Sequence, residues 1–232
     1  MISTLRPTAP AVATFRWIWA QYWRDVLFLH WRVPKELLRP HVPQALEIET
    51  FDGDAWASVV LFRLKVRPRG LPYVPFVSEL IEVNLRTYVS YRGVPGVNFL
   101  SVHADNRLAI AAGKLFTPMP YRRAKMAYRP GEFSSRVIRT QFEIRGEARE
   151  ADRGSLEAFL LERYRLYAAD RSGELLHADV QHPRWRTQSV DAKLKCNRLG
   201  DEFDLGFSAA PELAHFSPGV PAKFGSFVQA KV

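Results

Sequence analysis

Glu82-Val83-Asn84-Leu85-Arg86-Thr87-Tyr88-Val89-Ser90-Tyr91 is the stretch that decides the fold. Successive side chains of a strand point to opposite faces, so a period of two sorts these residues into two sets. Glu82, Asn84, Arg86, Tyr88 and Ser90 share one face; Val83, Leu85, Thr87, Val89 and Tyr91 share the other. The turn Arg92-Gly93-Val94-Pro95-Gly96 leads into a second apolar run, Val97 to Ala104, which predicts an antiparallel neighbour.

The same alternation of runs and turns continues outward. Val26 to Val33 reads as a buried strand stopped by Pro34, and Lys35 to Arg39 as a helical turn. Ala45 to Phe51 and Ala55 to Val66 flank Asp52-Gly53, a pair that tolerates the positive φ of a tight hairpin. Downstream, Arg107 to Phe116 predicts a helix ended by Pro118 and Pro120, and Ser155 would cap another over Leu156 to Glu162. Ala124 to Tyr128 and Phe133 to Arg145 predict strands joined by Pro130-Gly131. Tyr164 to Ala169 and Leu175 to Gln181 pair across Arg171-Ser172-Gly173. Residues 14–24 predict a helix whose Trp17, Ile18, Trp19, Tyr22 and Trp23 pack on their own domain or lie at an interface. The expectation is an α+β, mostly β fold: a curved or closed antiparallel sheet with a few short helices. Helices do not alternate with strands and no glycine-rich phosphate loop follows one, which disfavours a doubly wound parallel sheet. With no repeat and no long linker, residues 1–232 read as a single domain.

Composition narrows the function classes. The 232 residues are 47% hydrophobic and 12% aromatic, enough to bury a substantial core. The net charge of +9 comes mainly from arginines scattered along the chain; only Arg122, Arg123, Lys125 and Arg129 cluster. No zinc-finger spacing, RNA-recognition signature or basic heptad helix accompanies them, so nucleic acid is not the expected partner. Cys196 is the single cysteine, which excludes an intrachain disulfide. Arg16, Arg24 and Asp25 break the apolar N-terminal run, leaving neither a transmembrane segment nor a signal-peptide layout. A cytoplasmic protein is expected, compatible with a homo-oligomer. Six dispersed histidines predict no metal site, and no cofactor motif is present.

Several motifs resemble one family. Phe28-Leu29-His30-Trp31, Val33-Pro34, Leu37-Leu38 and Val42-Pro43 resemble the opening of the YqjF-like proteins, as do Phe51-Asp52-Gly53-Asp54-Ala55-Trp56 and Glu82 to Val89. Gly96 with Phe99-Leu100-Ser101, Pro120-Tyr121 with Ala124 and Met126, and Phe159-Leu160 with Glu162-Arg163-Tyr164 and Leu166-Tyr167 continue the likeness. His182-Pro183 and Trp185 complete it. It spans roughly residues 22–190, and the last forty or so residues carry no motif. The resemblance implies the acetoacetate decarboxylase-like fold, a barrel-like sheet around a small pocket. In the decarboxylases a Gly-Arg-Glu stretch leads into Pro-Lys-Lys, whose first lysine forms a Schiff base. The corresponding positions here are Gly113-Lys114-Leu115 and Pro120-Tyr121-Arg122, so Tyr121 replaces the nucleophile and Arg122 its neighbour. A phenol forms no imine and a guanidinium is not readily deprotonated, so the resemblance argues against that mechanism. His103 and Lys114 stand where the family pattern has Asp and Arg.

The candidate site follows from both arguments. Glu82 is the acid/base candidate, and Lys114 a displaced amine that a low-dielectric pocket would activate. Asn84, Arg86, Tyr88, Tyr121 and Arg122 are the candidate substrate-binding residues, with the arginines holding anionic groups and Arg86 expected to pair with Glu82. The expected ligand is a small carboxylate or carbonyl compound, and the expected chemistry, if any, lyase-like. Periodicity alone leaves an alternative: the polar face of 82–91 also fits a strand with one side in water, and a lysine late in a helix also fits solvent. A binding or interaction module on the same fold is the competing class.

Overall fold

The computed structural model describes residues 15–76, 78–207 and 210–230. Strands dominate: β1 (Trp17–Val33), β2 (Glu47–Ile48), β3 (Thr50–Phe51), β4 (Asp54–Pro68), β5 (Glu79–Tyr91), β6 (Val94–Ala104), β7 (Tyr121–Arg123) and β8 (Met126–Arg129). They continue with β9 (Glu132–Ser135), β10 (Ile138–Glu150), β11 (Arg165–Ala169), β12 (Leu175–Gln181), β13 (Arg186–Asn197), β14 (Leu213–Gly225) and β15 (Val228–Gln229). Three short helices intervene: α1 (Lys35–Leu38), α2 (Arg107–Phe116) and α3 (Leu156–Leu161).

All fifteen strands belong to one sheet. Seven of them, in the order β12-β11-β6-β5-β4-β1-β14, close into a ring because β14 also pairs with β12 at Val180–Phe224 and Gln181–Lys223. A wing of β13, β10, β9 and β8 continues from β14. It is anchored back at Asp25, whose carbonyl accepts from the Tyr128 hydroxyl at 2.5 Å. The apolar residues accordingly form two cores. Val26, Phe28, Trp56, Val60, Phe62 and Leu64 pack inside the ring. Leu27, Leu29, Val59, Leu61, Val83 and Leu85 pack on its outer side with Phe133, Ile138 and Phe142 of the wing. Each such side chain contributes about 1.5–3 kcal/mol on burial. Both faces of β4 and β5 are therefore buried, and the polar alternation of β5 turns toward the inside of the ring.

The hairpin of residues 82–91 and 97–104 forms as expected, antiparallel from Glu82–Ala104 to Tyr91–Val94. Its two-residue turn places Arg92 and Gly93 at φ 52° and 73°. Asp52-Gly53 also turns a hairpin, but only Thr50 and Phe51 pair across it; Glu47 and Ile48 join β5 instead. The strand expected over Phe133–Arg145 breaks after Ser135, whose hydroxyl accepts from the Val137 and Ile138 amides. Asn106 and Ser155 cap α2 and α3 through their side chains.

The helix expected over 14–24 is corrected: from Trp17 the chain is the long strand β1, and residue 14 lies outside the described residues. Its aromatic and β-branched side chains suit a sheet better than a helix. The period of two is masked by a bulge. Between Arg24 and Leu27, three residues of β1 advance against two of β4, around Asp25 at φ 52°. Trp19, Gln21 and Trp23 thus face inward before the bulge and Val26 and Phe28 after it. Opposite this bend, Gly219 at φ 127° lets β14 close against β1; a Cβ there would meet the Trp23 carbonyl oxygen at 1.9 Å.

Candidate active site

The inner face of β5 supplies the polar wall of a cavity of about 130 Å³ inside the ring. Glu82, Asn84 and Arg86 line it from β5, and Tyr121 from β7. The opposite walls are aromatic. Trp23 stacks on Trp185 (5.6 Å between centroids, 8° between planes), and Phe28 meets Trp185 edge-on at 5.0 Å. Trp185 is itself fixed by its backbone amide, which donates to Glu162 Oε1 at 3.0 Å. Arg163, His182, Gln21 and Thr117 add to the polar lining.

The electrostatics of β5 differ from the expected ion pair. Glu82 is buried, and its carboxylate accepts from Asn84 Nδ2 at 3.2 Å. Burial pushes its pKa up to about 7, against the smaller downward pull of that hydrogen bond. Arg86 is not its partner. The Arg86 guanidinium lies over the Phe28 ring at 5.7 Å and donates through Nη2 to the Leu160 carbonyl at 3.3 Å. Its Nε, like Asn84 Oδ1, is buried without a hydrogen-bond partner among the described residues. Arg163 is engaged: Nη1 meets Glu49 at 2.6 Å and Nε donates to the Phe159 carbonyl at 2.8 Å. Burial and the nearby Glu82 push the Tyr121 hydroxyl well above its ordinary range, keeping it a proton donor.

Three expected site residues lie elsewhere. Tyr88 shares the inner face but sits outside the cavity lining, in a closed network. Its hydroxyl donates to the Leu160 carbonyl (3.0 Å) and meets Ser58 Oγ (2.5 Å), which meets His30 Nδ1 (2.6 Å). Arg122 points outward to Glu202 because Tyr121, its neighbour on β7, takes the inward position. Lys114 is exposed on the last turn of α2, and among the described residues no lysine lines the cavity. His103 pairs with Val83, on the outer face, and is also away from the cavity. Arg163, His182 and Trp185 were missed as lining residues, although the family motifs contain all three. Among the described residues, no three His, Cys, Asp or Glu side chains converge as metal ligands.

Gly113 seats the Tyr121 ring. A Cβ at this position would lie 2.6 Å from Tyr121 Cε2 and 2.9 Å from Cδ2. Gly113→Ala is therefore expected to destabilise the protein by about 1–2 kcal/mol in a urea titration. The overpacking outweighs the roughly 1 kcal/mol by which alanine favours the helix.

Known proteins repeat this architecture. The DUF2071 family of uncharacterized conserved proteins matches residues 20–221. The chain belongs to that family. The uncharacterized protein YqjF of Bacillus subtilis (strain 168) is 35% identical over 213 residues, covering 87% of this chain and 88% of YqjF. Solved structures similar to this DUF2071 protein share its fold at low identity. The enduracididine biosynthesis enzyme MppR, complexed with pyruvate, superposes with a TM-score of 0.61 at 14% identity, over 97% of this chain and 98% of MppR. Acetoacetate decarboxylase from Legionella pneumophila gives 0.61 at 14%, over 95% and 92%. An acetoacetate decarboxylase-like enzyme from Sphingomonas wittichii RW1 gives 0.63 at 12%, over 97% and 100%. The fold of this DUF2071 chain is the acetoacetate decarboxylase-like one.

Proposed function

We propose that this cavity binds a small carboxylate or carbonyl compound and that Glu82 exchanges a proton with it, without a Schiff base. The observation that carries the reading is the inner face of β5. There a carboxyl with a pKa of about 7 shares one wall with an unpaired Asn84 Oδ1 and an unpaired Arg86 Nε. A carboxyl poised near neutrality both takes and returns a proton efficiently. Arg86, which lines the cavity, supplies the cation for a carboxylate or for the oxygen of an enolate. Asn84 Oδ1 only accepts, so it favours a ligand with a hydroxyl or enol beside that group. The reaction class is proton transfer next to a carbonyl: Glu82 removes the proton from carbon, the electron pair moves onto the oxygen held by Arg86, and the proton is then returned. Size fits a compact ligand, since an apolar cavity of roughly 150 Å³ takes up benzene. The likeness to MppR, solved with pyruvate, and to acetoacetate decarboxylase makes short oxo acids the first compounds to try.

A non-catalytic binding module on the same fold is the second reading, favoured by a cavity that no lysine lines among the described residues. One experiment addresses both. Pyruvate and acetoacetate are titrated into wild type and Arg86→Ala while thermal stability is followed. Saturating ligand, at about 100 Kd, is expected to stabilise the wild type by about 2.7 kcal/mol and Arg86→Ala far less. Proton exchange at the ligand carbon, read by deuterium incorporation, separates the enzyme from the binding module. Treatment with borohydride should leave the intact mass unchanged. No stabilisation by either compound, or a reduced adduct that Lys114→Ala abolishes, would overturn the proposal.

A further inference from the structure

The apolar stripe of α2 faces away from the protein. Leu108, Ala111, Ala112 and Leu115, spaced i, i+3, i+4 and i+7, lie along one side of the helix, and all four are exposed, Leu115 by 76%. The buried residue of α2 is Ile110. The stripe continues at both ends. Asn106, the cap, donates through Nδ2 to the carbonyls of Phe76 (2.8 Å) and Glu79 (3.1 Å), which fastens the preceding loop beside the helix. Phe76 stands there 93% exposed. At the other end Phe116 packs on Trp19 at 5.8 Å, and both rings line the cavity. The apolar stripe of α2 thus has the exposed Phe76 near its N-terminal end and the cavity-lining Phe116 at its C-terminal end.

Cations stand on α2 and at the start of β1, two residues before the Trp19 that packs on Phe116. Arg107 and Lys114 are exposed on α2 itself. Arg67, Arg69 and Lys223 surround the Trp17 ring at 6.0, 5.1 and 5.6 Å, and the Arg69 amide donates to the carbonyl of Ile18 in the cavity lining. Two carboxylates lie nearby, fewer than the cations. Glu79 is held by Lys65 at 2.6 Å, and Asp105 accepts from the Ile81 amide.

From this arrangement we propose that the face carrying Phe76, Leu108 and Leu115 docks on an anionic lipid bilayer. Apolar tips enter the interface while the surrounding cations meet the headgroup phosphates, as in interfacial helices and polybasic lipid-binding surfaces. Trp17 within its cage of cations fits the depth at which tryptophans collect. A second copy of the chain fits less well, because a two-fold contact sets the patch against itself and brings the framing cations together. The inference is independent of the chemistry at Glu82.

The test is co-sedimentation with vesicles of phosphatidylcholine alone and of phosphatidylcholine containing about 30% phosphatidylserine. Wild type is expected to bind the anionic vesicles at least ~10-fold more strongly, with the preference lost at high salt. Phe76→Ser/Leu108→Ser/Leu115→Ser should weaken that binding ~10-fold or more. Arg67→Glu/Arg69→Glu, which keeps the apolar tips, should remove the preference for the anionic vesicles. Ile144→Ser, an exposed apolar position on β10, should bind like the wild type. Failure to bind either vesicle overturns the proposal, as does equal binding by wild type and the triple serine variant. If the serine variant instead converts an oligomer to a monomer by light scattering and neither form sediments, the face joins copies of the chain and the lipid proposal is wrong.

Discussion

Glu82→Gln is expected to leave stability unchanged near pH 4 and to raise it by about 3 kcal/mol near pH 8. The folded-state pKa of about 7 lies above the ordinary value of 4.5, because the folded protein buries this carboxyl without a cation beside it. Below the ordinary value both folded and unfolded chains hold the proton, and Glu82 contributes nothing to the difference. Between the two values the unfolded chain releases its proton while the folded one keeps it, so wild-type stability falls as pH rises. Above about 7 the penalty is complete, at about 1.4 kcal/mol for each pH unit separating the two pKa values. Glutamine keeps the shape and an oxygen for Asn84 Nδ2 but has no charge to desolvate. Urea titrations of both proteins across this range measure the divergence directly. Parallel curves would mean that Glu82 is ionised and compensated in the fold, which removes the basis for its acid/base role. The same substitution should abolish any proton exchange on a bound oxo acid, so the variant gains stability as it loses chemistry.

Gly219→Ala is expected to cost more than about 4 kcal/mol, a loss that only a few mechanisms produce. The alanine methyl would sit 1.9 Å from the Trp23 carbonyl oxygen, 2.9 Å from its carbon and 3.0 Å from Arg24 Cα. All three are backbone atoms of β1, so no side-chain rotation relieves the overlap. The two strands must part at the seam that carries Trp23 into the cavity. Gly146→Ala is the control. Gly146 also has a positive φ, 69°, but a Cβ there meets nothing within 4 Å, so only the conformational cost of about 1–2 kcal/mol remains. The difference between the two in urea reports the overlap with β1 together with the greater backbone strain of φ 127° over 69°. Equal midpoints would show that β14 can shift away from β1 without loss.

The legible parts of the fold were those whose pattern is local. The β5 face could be read because one side is uniformly polar over five alternate positions, and the turn at Arg92-Gly93 sits next to it in sequence. The segment from Trp17 to Asp25 could not, since large apolar side chains stand on both its faces and the bulge at Asp25 swaps the inward phase midway. Its partner β14 lies in the stretch without motifs, about two hundred residues on, and itself contains Pro218 and Pro221. Within the candidate site, strand parity placed Glu82, Asn84 and Arg86 together. Parity carries no depth, so it could not show that Tyr88 sits below the cavity in the Ser58–His30 network. Nor could it show which of Tyr121 and Arg122 turns inward. The motif residues Arg163, His182 and Trp185 carried the missing signal, but only the ring closure brings them to β5.

That closure also sets an order on folding. The β1–β14 register joins Trp17 to Gly225 and Val26 to Ser217, among the most distant partners the described chain can have. Loop closure over such separations is slow, and sheets built from them form in milliseconds to seconds rather than microseconds. During synthesis the hairpins of β4, β5 and β6 can assemble early, while the free edge of β1 must wait until residue 225 has emerged. For that interval it is an unpaired edge rich in aromatic residues, of the kind that templates aggregation. A C-terminal truncation before β14 would make that interval permanent, leaving a chain that retains the polar strand of the cavity but has no ring to enclose it.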